Sequence, residues 1–135
     1  MVAPAHSTNY RVLIADGDRI SREYLQLVLR QGGFRVDSVA LAARAFRFME
    51  DHRPELILVD TGFSESGGFS VLRKLREIAM RLKYEPRFVM LASEDRKLER
   101  EQAAAAGAVD YIIKPVQPTR LLRQLNELMA LEPAS

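Results

Sequence analysis

Five times in succession an apolar run gives way to a segment of helical period, and this alternation limits the fold more than any other feature of the chain. Parallel strands cannot be joined by a tight hairpin; they need a crossover, and a helix supplies it. The run Leu56-Ile57-Leu58-Val59 shows no polar alternation, the pattern of a strand covered on both faces. Val12 to Ala15 follow the same pattern, while Phe34 to Val39 alternate and suit a strand near an edge. Phe88 to Leu91 and Val109 to Ile113 predict the fourth and fifth strands. The spacing of Ile20, Tyr24, Leu27 and Val28 predicts the buried face of a first helix that ends at Gly32-Gly33. Leu41, Ala45, Phe46, Phe48 and Met49 mark a second helix, closed by Pro54, and Val71, Leu72, Leu75, Ile78, Ala79 and Leu82 mark a third. A fourth runs from near Asp95 to Gly107. Pro118 opens a fifth, with Leu121, Leu122, Leu125, Leu128 and Met129 on one face.

The expected fold class is therefore α/β: a three-layer, doubly wound sandwich with a five-stranded parallel sheet in the flavodoxin-like order 2-1-3-4-5 and five helices. Residues 10–130 are expected to form this domain, with 1–9 and 131–135 as flexible tails. A chain of 135 residues can bury one such core and not two. The formal net charge is only +2, with no block of like charge, so composition does not argue for nucleic-acid binding and no nucleic-acid partner is expected. The absence of cysteine excludes a disulfide frame, a thiol nucleophile and cysteine metal sites. No secretory pattern opens the chain and no apolar stretch reaches the length of a membrane span, so a cytoplasmic protein without a membrane partner is expected.

In such a sheet the carboxyl ends of all strands share one rim, and a crevice opens where the strand order reverses, between the first and third strands. The first strand delivers Asp16 to that rim and the third delivers Asp60. The fourth delivers Ala92 and Ser93, and the fifth delivers Lys114. Gathered carboxylates repel one another unless a cation neutralises them, and Asp16, Asp60 and Asp18 make an oxygen-rich pocket of the kind that suits Mg²⁺. Lys114 is a mobile point charge able to pair with a carboxylate or a phosphoryl oxygen. A metal, a lysine and a carboxylate nucleophile are the minimum parts for phosphoryl transfer to an aspartate. Each acid also has a plainer reading, because an Asp at a strand end commonly caps the next helix or shapes a turn. His6 and His52 lack metal-ligand spacing and take no role.

Four segments carry a family likeness: VLIADGD, PELILVD, GFSVLRKLR and AAAAGAVDYIIKP. Together they resemble the receiver domain of two-component response regulators, CheY-like in size and element order, over roughly residues 10–130. The resemblance implies that Asp60 is the phosphoryl acceptor and that Lys114 pairs with the phosphate. It makes Asp16 the first member of the acidic pair and the backbone carbonyl of Gly62 a metal ligand. Tyr111 matches the switch aromatic that turns inward on activation, and the bond before Pro115 is expected to be cis. The implied partners are a histidine kinase or phosphotransfer protein and a downstream protein. The latter would dock on the face of the fourth helix, fifth strand and fifth helix, where a homodimer could also form. Arg96, Lys97, Arg100, Arg120 and Arg123 lie near that face, although scattered helix charge also reads as simply solvated. No further domain follows residue 130 in the sequence, so output through protein contact is expected rather than enzyme turnover or fused DNA binding.

Two departures from the family pattern stand out. Gly17 occupies the position of the second acid, a direct metal ligand in the family, and Ala92 occupies that of the hydroxyl residue which hydrogen-bonds the phosphoryl group. A milder one places Ser64 and Gly67 in a loop that usually holds Pro and Asp. Weak Mg²⁺ binding is therefore expected, with Asp18 either a substitute ligand or the cap of the first helix. The space behind Ala92 leads to the expectation that Tyr111 sits inward in the unmodified protein, against the plainer reading of an amphipathic edge-strand tyrosine. Three functions stay open: an atypical receiver phosphorylated on Asp60, a phosphorylation-independent pseudo-receiver, and a flavodoxin-like cofactor binder. The last is disfavoured because Asp16-Gly17-Asp18 would repel a phosphate.

Overall fold

The computed structural model describes residues 10–130, so the expected tails and His6 lie outside the described residues. The elements alternate without exception: β1 (Arg11–Ala15), α1 (Arg19–Gln31), β2 (Arg35–Val39), α2 (Ala42–His52), β3 (Leu56–Asp60), α3 (Gly68–Arg81), β4 (Arg87–Ala92), α4 (Lys97–Ala106), β5 (Ala108–Ile113) and α5 (Pro118–Ala130). All five strands are parallel in the order β2-β1-β3-β4-β5, the expected topology.

Strand residues of alternate parity feed two apolar layers. Leu13, Ala15, Ile57, Val59, Phe88, Met90 and Ala92 face the layer built with α2, α3 and α4. Val12, Ile14, Leu56, Leu58, Val89 and Leu91 face the layer built with α1 and α5. The period of two puts successive side chains on opposite faces, and a strand covered on both sides is therefore apolar throughout. Every residue from Leu56 to Val59 is fully buried, each worth roughly 1.5–3 kcal/mol of apolar transfer. β2 and β5 are the sheet edges, and β2 alternates as its sequence does.

Two sequence expectations need correction. The buried face of α1 is Leu25, Val28 and Leu29, whereas Ile20, Tyr24 and Leu27 are 80%, 40% and 56% exposed. The segment LQLVL places apolar residues on adjacent faces, and only contact with β1, β2 and α5 selects one of them. α4 begins at Lys97 rather than near Asp95, because the Asp95 carboxylate accepts from Arg100 and does not cap the helix. Among the described residues no helix is long and apolar enough to cross a membrane.

Candidate functional site

The rim at the carboxyl ends of β1, β3 and β5 collects the three residues on which the chemistry was expected. Asp16 follows β1 directly and is 1% exposed, the only buried charged side chain among the described residues. Asp60 is the last residue of β3, with its side chain 17% exposed. Lys114 follows β5, and its backbone N–H donates to the Ala92 carbonyl at 2.7 Å. The Lys114 ammonium reaches between the two acids, 2.7 Å from Asp16 Oδ2 and 2.8 Å from Asp60 Oδ1. Burial alone would lower the Lys114 pKa, but hydrogen bonds from the ammonium to Asp16 and Asp60 outweigh it and hold the group above its usual value. The Lys114–Pro115 bond is cis, as expected.

Every carboxylate oxygen of the pair has a partner within the chain. Asp16 Oδ1 accepts from the Asp18 N–H at 2.9 Å, and Oδ2 accepts from the Ser21 hydroxyl at 2.7 Å as well as from Lys114. Asp60 Oδ2 accepts from the Gly62 N–H at 2.9 Å. Ser21 and Arg22, whose guanidinium donates to the Asp16 carbonyl at 2.8 Å, are site residues that the sequence reading missed. The only signal for Ser21 was its place in the first turn of α1. Its hydroxyl secures Asp16 while its N–H donates to the Asp18 carboxylate at 2.9 Å. Asp18 is thus the N-cap of α1, the second of its two expected roles.

The approach to Asp60 is shaped by glycine. A Cβ at Gly68 would stand 2.1 Å from the Asp60 carbonyl, so only glycine lets the start of α3 pack against the end of β3. Gly17 is exposed, and a Cβ built there meets no heavy atom within 4 Å. Packing therefore does not require glycine at this position. At this rim the four oxygens of Asp16 and Asp60 are all engaged by Lys114, Ser21 and the backbone N–H groups of Asp18 and Gly62. Among the described residues no group of three or more acidic, histidine or cysteine side chains is placed to hold a metal.

Ala92 is fully buried and Ser93, one residue on, is exposed, so no hydroxyl replaces the absent one from within β4. Tyr111 is 7% exposed, the inward placement expected from its pairing with Ala92. Of the basic residues near α4 and α5, Arg96 pairs with Glu94 and Glu99, and Arg100 with Asp95, so part of that charge is neutralised locally.

Residues 12–126 match the model of the response regulator receiver domain. The virulence transcriptional regulatory protein PhoP of Shigella flexneri is 28% identical over 119 residues, which cover 88% of this chain and 52% of that protein. The transcriptional regulatory protein PhoP of Escherichia coli O6:H1 matches to the same extent. The chain thus spans about half the length of these curated relatives. Among solved structures, a CheY-like response regulator receiver domain protein from Methanospirillum hungatei superposes with a TM-score of 0.78 at 26% identity, covering 89% of this chain and 93% of its own. A response regulator from Thermotoga maritima gives 0.80 at 25% identity, with coverage of 90% and 98%.

Proposed function

Because the chain belongs to the response regulator receiver family of two-component systems, we propose that it is an atypical receiver that accepts a phosphoryl group on Asp60 and signals by protein contact. The observation that carries this reading is the bridge of the Lys114 ammonium between Asp16 and Asp60. An Asp60 carboxylate oxygen attacks phosphorus, the bond from phosphorus to the donor nitrogen breaks, and the phosphoryl group ends on Asp60. The donor nitrogen keeps the bonding pair and takes up a proton. Lys114 is then in reach of the new phosphoryl oxygens, and Asp16, held by Ser21 and the Asp18 amide, keeps the ammonium in place. Receiver domains generally bind Mg²⁺ at this pocket; here Asp16, Asp60 and the Gly62 carbonyl are the donors that remain, and the binding is weak for want of an acid at Gly17.

A phosphodonor must reach Asp60 along a surface. Ile20 and Tyr24 line an apolar groove of about 530 Å³ that continues past Val116 and Pro115 to Lys114 itself. With Leu27 one turn further on, they form an exposed stripe on α1 beside the acidic pocket. We assign this stripe to a histidine kinase or phosphotransfer protein, since its inner end is the reaction site. A downstream protein is assigned to the α4–β5–α5 face.

The second reading is a pseudo-receiver that works unphosphorylated, favoured by Gly17 and Ala92. Intact mass after incubation with phosphoramidate and Mg²⁺ separates the two. A gain of one phosphoryl group in the natural chain, absent in Asp60→Asn, is the expected result. No gain at any Mg²⁺ concentration would overturn the receiver reading, because a small donor needs no matched kinase.

A further inference from the structure

Tyr111 lies on an edge strand, where an amphipathic ring commonly turns its hydroxyl outward to water. Instead it is buried, in contact with α4 and with the loop that precedes it. The hydroxyl donates to Glu99 Oε2 at 2.8 Å, with the Glu94 carbonyl at 3.1 Å as a second acceptor. The Arg100 guanidinium stands 4.9 Å from the ring centroid. These holders are themselves held: Arg96 pairs with Glu94 and lies 3.8 Å from the other oxygen of Glu99, while Arg100 pairs with Asp95.

A phenol has one proton to give, so its two acceptors compete. The carboxylate is closer and charged, and a charge-assisted bond is roughly twice as strong as a neutral one. Ala92, in the same apolar layer as Tyr111, offers only a methyl group. The last residue of β4 therefore gives Tyr111 no side-chain hydrogen bond. We propose that Glu99 fills this gap as the positioning residue that latches Tyr111 inside the fold and thereby sets α4 against β5 without any modification of Asp60. The inference goes beyond the phosphoacceptor reading and does not depend on it. The α4–β5–α5 face, including the groove that Tyr111 lines with Arg100, Asp110, Gln117 and Arg120, is then displayed ready-made to a partner.

The chain has four tyrosines and no tryptophan, so tyrosine emission is unmasked, and the difference between the natural chain and Tyr111→Phe isolates the Tyr111 signal. Acrylamide quenching is measured on this difference signal in the Glu99→Ala and Glu99→Gln backgrounds, each against its own Tyr111→Phe control. Amide hydrogen exchange of α4 is followed in parallel. The latch predicts a Tyr111 that is shielded in the natural chain, quenched several-fold more readily in Glu99→Ala, and intermediate in Glu99→Gln, whose neutral carbonyl can still accept. Exchange at the start of α4 accelerates in the same order. A Tyr111 equally shielded in all three would overturn the proposal, because packing alone would then hold the ring, and so would a Tyr111 already accessible in the natural chain. Should Glu99→Ala fail to fold, the isosteric Glu99→Gln decides by the same readouts. None of these arms uses phosphorylation, so a chain that takes up no phosphoryl group can still show the latch.

Discussion

Replacing Gly17 by Asp tests whether the acidic pocket lacks a ligand or only looks depleted. The substitution is sterically free, since a Cβ at this position meets no heavy atom within 4 Å. In the natural chain Asp16, Asp60 and Lys114 sum to one negative charge, and the added carboxylate would make two. Gly17 is exposed, so the water-like limit of the Coulomb interaction applies, about 1 kcal/mol for unit charges 4 Å apart and about 2 kcal/mol for a divalent ion. That corresponds to about a 30-fold gain in Mg²⁺ affinity. Thermal unfolding with and without MgCl₂ reads it directly, because a ligand that binds only the folded state stabilises by RT ln(1 + [L]/Kd), about 2.7 kcal/mol at a hundred times Kd. In chelator Gly17→Asp should melt below the natural chain, three acids then sharing one lysine. As Mg²⁺ rises it should overtake it. Equal Mg²⁺ responses in the two proteins would refute the reasoning and mean that no cation seats beside position 17.

Removing the α1 cap with Asp18→Ala frees the Ser21 N–H and should cost about 1 kcal/mol in urea unfolding, without changing phosphoramidate uptake if Asp18 is a cap and not a ligand. Burial, then the hydrogen bond to Glu99 and its charge, raise the Tyr111 pKa to about 12 against an opposing effect of Arg100, with Asp95 adding a small upward push. The folded value lies above the ordinary 10.0, so the stability from a protonated Tyr111 is complete below pH 10 and fades as pH climbs toward 12. Between pH 10 and 12 the stability of Tyr111→Phe should accordingly fall less steeply than that of the natural chain. Ile20→Asp and Leu27→Asp change exposed side chains and should leave unfolding midpoints within about 0.5 kcal/mol. Both should slow transfer from a protein phosphodonor at least about ten-fold, roughly 1.4 kcal/mol, while phosphoramidate uptake is unchanged. Equal slowing with the small donor would remove α1 as the docking surface.

Much of the architecture was legible because it rests on local pattern. Unbroken apolar strands, glycine and proline stops and a strand–helix alternation leave few chiral arrangements, and all of these are properties of neighbouring residues. Parallel strands sharing a rim also place Asp16, Asp60 and Lys114 together, since topology alone sends strand ends to one side. What the sequence could not decide is what depends on the choice between near-equal alternatives. α1 carries apolar residues on two adjacent faces, and only the sheet and α5 determine that Leu25, Val28 and Leu29 go inside while Ile20, Tyr24 and Leu27 stay out. The roles of Asp18 as a cap and of Ser21 as the holder of Asp16 rest on hydrogen bonds made only once α1 is seated at the end of β1. The meeting of Glu99 with Tyr111 requires α4 to fold back on the edge strand. Side-chain partners separated in sequence are chosen by packing, and packing is a property of the whole folded chain.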